Sequence, residues 1–304
     1  MSEGGFAERL VGTDIVPDYT YEDSRNHTIS LIIIGDSISS LLPSVKSVLK
    51  LKLESDFKGY ATKMDVFVVA QEKDDESMEE VMEWGSIMGQ RHGWKTSFIV
   101  NPYNRGRLMA EAIGRATGDI LVFLTQDFII DRAKNARELI NQLHVPMDYG
   151  VSFIKGGYDI TAAYVNPDLG KVVVSSQAPY VMEPFGVTSF GGLKEYFHYF
   201  PFRHLSTIRV KRNLVNGHLD FLSNFDEGLD IALGAIAVYE GAGIRTTPFP
   251  FVNMLTTPRP PDYDVLKREI SIMETYFPDM DEYSGRLYFD YLRGAMKDVE
   301  NKTY

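Results

Sequence analysis

Short apolar runs alternate along the first half of the chain with longer stretches in which apolar residues recur every three or four positions. "TISLIII" (Thr28 to Ile34) reads as a strand buried on both faces, and "LLPSVKSVLKLK" places Leu41, Leu42, Val45, Val48 and Leu49 on one face of a helix. Pro43 is tolerated in a first helical turn, which predicts a helix start close to it. "MDVFVVA" (Met64 to Ala70) is a second strand, followed by acidic "QEKDDES" and a helix with Met78, Val81, Met82 and Gly85 on one side. "TSFIV" (Thr96 to Val100) is a third, followed by "NPYNRGR" and a stripe of Leu108, Met109, Ala112, Ile113 and Ala116. "ATGDILVFLTQDFII" (Ala116 to Ile130) supplies a fourth, and Ala133, Ala136, Leu139, Ile140 and Leu143 its helix. Four β-then-α units in succession predict an α/β fold built on a doubly wound, mostly parallel sheet flanked by helices.

From Val145 the rhythm breaks into short β-like pieces, "YGVSFIKGG" and "KVVVSS", and an aromatic, glycine-containing stretch from Phe185 to Phe202. That stretch reads as packing or as a lid on the acceptor side. Helical spacing returns in "DEGLDIALGAIAVYEGAG" and, after Pro-rich "TTPRPPDYD", in two stretches near the end. The last of these carries Leu287, Tyr288, Tyr291, Leu292, Ala295 and Met296 on one face, suited to docking on the domain or on a second subunit as a homodimer. The expected organisation is a polar leader over 1–28, one domain over 29–255 with halves at 29–131 and 145–255, and a C-terminal helical extension over 256–304.

The formal charge of −11 argues against a sequence-independent grip on nucleic acid, which requires a basic surface. The absence of cysteine excludes disulfides, thiolate catalysis and zinc-thiolate sites. The first residues are polar and acidic, unlike a signal peptide, and no apolar run approaches the roughly 20 residues of a membrane span. A cytoplasmic location is expected, with a peripheral contact at the inner face of the membrane compatible with the same composition.

In parallel sheets ligands gather at the carboxyl ends of the strands, so Asp127, four residues ahead of a helix start near Asp131, stands where a site would be. The first turn, "IGDSIS", holds Gly35 alone and so lacks the G-x-G-x-x-G of a dinucleotide fold. No G-x-x-x-x-G-K-S/T string exists, which removes a P-loop, and the Gly-, Arg- and Lys-containing turn of a nucleotidyltransferase is missing too. The six histidines are scattered without ligand spacing.

Over roughly Ile29 to Asp131, and more weakly over Ile208 to Asn253, the chain resembles family 2 glycosyltransferases of the GT-A fold. "ISLIIIGDS" occupies the place of their opening strand and nucleotide-contacting turn, bringing Gly35 and Asp36 to the donor. "VFVVAQEKDDES" matches the second strand and its acidic loop. "NRGRLMAEAIGRATGDILVFLTQD" matches the run that ends in the DXD motif, and its Thr-Gln-Asp ending is most similar to the rhamnosyltransferase branch.

The resemblance implies an inverting transfer of a sugar from a UDP- or dTDP-sugar to a glycan, a lipid-linked saccharide or a small polar acceptor. It implies Mn²⁺ or Mg²⁺ held by Asp127 and the diphosphate, since a hard cation that keeps its waters needs few protein carboxylates. Donor contacts fall on Gly35, Asp36, Gln71, Asp74, Asn104, Arg107 and Gln126, with Arg107 at a helix amino terminus where dipole and guanidinium both suit phosphate. The family's acidic pair after the second strand falls on Ala70 and Gln71, and Asn253 stands near the place of a frequent histidine ligand. A non-catalytic nucleotide-sugar or protein-binding module on the same fold is the rival reading. The family's base lies at the start of a helix leading to an Ala-Gly turn, which leaves Asp226, Glu227 and Asp230. Asp226 suits a helix cap and Glu227 the first turn, so Asp230, one turn in, is favoured.

Overall fold

A computed structural model describes residues 28–48, 64–130, 149–155, 163–166, 171–174, 206, 208–240, 244–256 and 262–278. The leader, the helix expected over 133–143, the aromatic stretch 185–202 and the last helical stripe lie outside these residues.

The first half follows the expected rhythm. β1 (Ile29–Ser37), α1 (Ile38–Val48), β2 (Met64–Glu72), α2 (Asp75–His92), β3 (Lys95–Val100), α3 (Arg105–Arg115) and β4 (Ile120–Thr125) come in order. They are followed by the short β5 (Phe128–Ile130), β6 (Tyr149–Lys155), the hairpin strands β7 (Ala163–Asn166) and β8 (Lys171–Val174), and β9 (Ile208–Lys211). Three helices, α4 (Arg212–Asn216), α5 (Leu219–Leu222) and α6 (Leu229–Tyr239), precede the long β10 (Ile244–Met254), and α7 (Tyr263–Tyr276) follows it.

The main sheet has eight strands in the order β3-β2-β1-β4-β9-β6-β10-β5. β3, β2, β1 and β4 run parallel, with Ile34 beside Val69 on one side and Thr125 on the other. This register brings the carboxyl ends of β1, β2 and β4 together. β9 then pairs antiparallel with both β4 and β6, while β10 is parallel to β6 and antiparallel to β5. At four residues, β9 is too short to declare itself by periodicity, and the sequence reading does not find it.

Because both faces are covered, alternate residues of the same strand enter different cores. Ile29, Leu31 and Ile33 pack with Leu41, Val45 and Val48 of α1 and with Val81, Trp84 and Met88 of α2. Ile32 and Ile34 face the other way, onto Leu108, Met109, Ala112 and Ile113 of α3, onto α6, and onto Leu266, Ile270 and Met273 of α7. Thus α7, within the stretch assigned to the extension, contributes to the same core as the sheet.

Two local expectations are corrected. α1 begins at Ile38, so Pro43 lies inside the helix. The start is fixed instead by a reciprocal pair in which Ser40 N–H donates to Ser37 Oγ at 3.2 Å and Ser37 N–H to Ser40 Oγ at 3.3 Å. Met82, expected on the buried side of α2, is 58% exposed, and Trp84 and Met88 fill the core in its place.

The start of α3 meets the segment ahead of α6 backbone to backbone at Gly106. Its N–H donates to Phe225 O at 2.8 Å, and a Cβ there would stand 2.2 Å from Leu222 O and 2.3 Å from Phe225 O. Both obstructing atoms are backbone, which cannot swing aside as a side-chain end can. Gly106→Ala should therefore destabilise the protein by about 1–3 kcal/mol or more in urea unfolding. An unchanged unfolding midpoint would show that the contact yields freely.

Candidate active site

The site is assembled from the carboxyl end of β1, the turn after β4, the amino terminus of α3 and the turn ahead of α6. Gln126 binds the first of these to the second. Its Oε1 accepts from Asp36 N–H at 2.9 Å and from Ser40 Oγ at 2.7 Å, while its Nε2 donates to Asp36 Oδ2 at 2.9 Å. Gly35 leaves room for this contact, since a Cβ would lie 2.6 Å from Gln126 Oε1.

Asp36 also pairs with Arg105, whose Nη2 donates to Oδ1 at 2.5 Å. Sequence reasoning missed Arg105, although it lies between Asn104 and Gly106 of the matched run. Burial alone would lower the guanidinium pKa, but the hydrogen bond and attraction to Asp36, with Asp226 and Glu227 adding to it, raise it. The backbone N–H of Arg105 donates to Asp226 Oδ1 at 3.1 Å. Arg105 thus joins the carboxyl end of β1 to the acidic turn ahead of α6 by its side chain and by its main chain.

Asn104 caps α3, accepting Arg107 N–H at 2.8 Å, and its Nδ2 donates to Ser223 O at 3.1 Å. Gln71 Nε2 donates to Tyr103 O at 2.9 Å, and the Arg107 guanidinium lies 3.7 Å from the Tyr103 ring centroid. An open cavity of about 710 Å³ begins here, lined by Tyr103, Asn104, Arg107, Glu111, Asp220 and Ser223 among others, and includes neither Asp36 nor Asp127. Asp74 is the N-cap of α2, accepting Ser77 N–H at 3.0 Å.

Asp127 follows β4 in the turn before β5. Its carbonyl accepts from Leu255 N–H at 2.7 Å, and its Oδ1 accepts from the Thr256 hydroxyl at 2.8 Å. Asn253 lies two strand positions earlier, paired with Ile129 of β5. Among the described residues no group of three or more His, Asp or Glu could enclose a metal ion. A single carboxylate nevertheless fits a Mg²⁺ or Mn²⁺ whose remaining ligands are diphosphate and water.

The three acids ahead of the Ala-Gly turn are placed differently from the sequence expectation. α6 starts at Leu229, so Asp226 does not cap it and caps the start of α3 instead. Glu227 lies outside the helix, and Asp230 occupies the first turn, accepting Ile231 N–H at 2.9 Å. Asp226 and Glu227 both contribute to the field at Arg105.

A fourth acid, Glu269 of α7, was not singled out in the sequence. It is only 4% exposed and accepts from Asp226 N–H at 2.6 Å, Gly228 N–H at 2.7 Å and Glu227 N–H at 3.3 Å. A carboxylate at a position of the stripe Leu266, Ile270, Met273 is the signal that could have revealed it.

No family model and no curated protein matches the chain. The solved structures do. A crystal structure of S. aureus TarS 1-349 superposes with a TM-score of 0.55 at 14% identity, over 87% of this chain and 70% of that one. The longer TarS crystal structure is covered over 43% of its length. The mannosyltransferase PcManGT from Pyrobaculum calidifontis, in complex with GDP-Man and Mn²⁺, gives a TM-score of 0.54 at 15% identity, over 95% of this chain and 80% of that one. The fold is the GT-A fold. Another TarS 1-349 structure of the same group is a complex with UDP-GlcNAc, at a TM-score of 0.53. Among the described residues no helix of this GT-A chain is long and apolar enough to cross a membrane.

The pKa of Glu269 is raised, first by burial and also by the negative Asp226, against the lowering effect of its three N–H donors. The folded protein therefore binds this proton more tightly than the unfolded chain. The stability that the group contributes is complete below the ordinary carboxylate pKa and is lost as pH rises through the raised one. Glu269→Gln cannot titrate, so the melting temperature of the variant relative to wild type should climb with pH across that interval. A flat or falling difference would contradict the assignment.

Proposed function

We propose that the chain is an inverting family 2 glycosyltransferase, close to the rhamnosyltransferase branch, using a nucleoside diphosphate sugar of the UDP or dTDP type. The donor half would span 29–131 and the acceptor half 145–255. The observation that carries this reading is the bridge through Arg105, which sets the acidic turn ahead of α6 against the Asp36 and Gln126 turns at the strand ends. The complexes of TarS with UDP-GlcNAc and of PcManGT with GDP-Man and Mn²⁺ support it.

In this reading Asp127, steadied by Thr256, holds a Mn²⁺ or Mg²⁺ together with the donor phosphates. Held there, such a cation would supply neutralisation of the charge that develops on a departing diphosphate. Gly35, Asp36 and Gln126 shape the floor under the nucleotide, and Gln71 with Tyr103 borders it. The acceptor is a glycan, a lipid-linked saccharide or a small polar hydroxyl compound, whose proton passes to a carboxylate as its oxygen attacks the anomeric carbon. We assign that carboxylate to Glu227 in place of Asp230, because Glu227 lies in the Arg105 field while Asp226 is engaged in capping α3.

Asp127→Asn should lower metal-dependent donor binding and transfer by well over tenfold. Unaltered activity with unaltered Mn²⁺ dependence would remove the metal assignment. Glu227→Gln should lower turnover about a hundredfold with donor affinity near normal, since a base acts in the transition state. Full turnover in Glu227→Gln beside its loss in Asp230→Asn would return the base to Asp230. A wild-type protein that binds nucleotide sugars yet never releases nucleoside diphosphate from any of them would be a binding module.

A further inference from the structure

Glu269 stands in a stripe of apolar residues and is almost fully buried, a placement that costs free energy unless its oxygens are well used. They are used on one target. Three consecutive backbone N–H groups, of Asp226, Glu227 and Gly228, point at the two carboxylate oxygens. Lying ahead of α6, these donors have no partners within that helix, so a side chain from α7 does the work of a cap. Gly228 permits the approach, because a Cβ there would lie 3.0 Å from both Glu269 Oε2 and Leu266 Cδ1. On its other side the same turn is fixed by Gly106 N–H to Phe225 O and by Arg105 N–H to Asp226 Oδ1.

We propose that Glu269 is a positioning residue for the transfer reaction, gripping the 226–228 backbone so that the acidic side chains of that turn are held toward Arg105 and the donor. This rests on the glycosyltransferase reading for its catalytic consequence, but the grip itself is a property of the fold. It makes α7 a working part of the site. Glu269 touches neither donor nor acceptor in this scheme. Its loss should therefore be felt in turnover more than in donor binding, because the three peptide groups would no longer be confined to one arrangement.

The test uses the full chain and two variants. Glu269→Gln keeps shape and volume but turns an amide donor toward one of the backbone donors, and Glu269→Ala removes the grip. Hydrogen exchange read on the 225–230 peptide should speed up at least tenfold in Glu269→Gln, while the β1 and β4 peptides exchange as in wild type. With the nucleotide sugar that wild type turns over, kcat should fall at least tenfold and donor Kd change less than threefold. Glu269→Asp, which restores the carboxylate one methylene short, should recover part of kcat. Exchange unchanged at 225–230 overturns the proposal, as does faster exchange with kcat intact, or a parallel loss of kcat, donor affinity and β1 and β4 protection. Should Glu269→Ala fail to fold, the Gln and Asp variants carry the comparison alone. If wild type transfers no sugar, the exchange result still decides the grip, and it is the glycosyltransferase reading that fails.

Discussion

The rest of the site depends on how the amino terminus of α3 is occupied. Helix starts leave backbone N–H groups unsatisfied, and here those of Arg105 and Gly106 are taken by Asp226 Oδ1 and Phe225 O, not by water or by a local cap alone. This fixes a segment more than a hundred residues downstream against the strand ends. The Arg105 side chain then reaches Asp36, so one helix start holds the end of β1 and the turn ahead of α6 at the same time. Without a glycine at 106 the two backbones could not come this close. An anionic donor entering beside this bridge would meet a half-buried cation whose charge Asp36, Asp226 and Glu227 hold in place.

The same arrangement explains the division of polar groups at the strand ends. Gln126 is spent on Asp36, while Asp127, the carboxylate of the Thr-Gln-Asp turn, accepts from the Thr256 hydroxyl. The return of β10 beside β5 brings Thr256 to it, so a residue on the far end of the sheet orients a side chain on β4's turn. α7 closes the opposite flank, with Phe277 and Tyr276 packed on Phe221 beside the buried His218 and its Glu240 partner at 2.7 Å. Packing and polar contacts thus converge on the turn that carries the acids.

The parallel half of the sheet was legible because each strand is a short apolar run and each helix an apolar stripe, and Ile29–Ser37, Met64–Glu72, Lys95–Val100 and Ile120–Thr125 follow that pattern. β9 was not, since four residues carry no period and its place between β4 and β6 comes from antiparallel pairing across the chain. Pro43 misled the placement of α1 because a serine pair, not the proline, fixes its start. At the site, residue types that announce chemistry were visible, such as Asp127 and the acids at 226, 227 and 230. Arg105 and Glu269 were not, because their meaning lies in distant partners. An arginine at a helix start looks solvated until Asp36 is beside it, and a glutamate on a helix looks exposed until its neighbours are seen to be core.

In the proposed reading a donor diphosphate and a divalent cation complete each other at the Asp127 end of the sheet. Calorimetric titration of the wild-type chain with UDP, dTDP and GDP, each with and without Mn²⁺, tests it most directly. At least one nucleoside diphosphate should bind, and Mn²⁺ should tighten its binding by tenfold or more while Mn²⁺ alone binds weakly. Affinities indifferent to the metal, or no binding by any of the three, would contradict it.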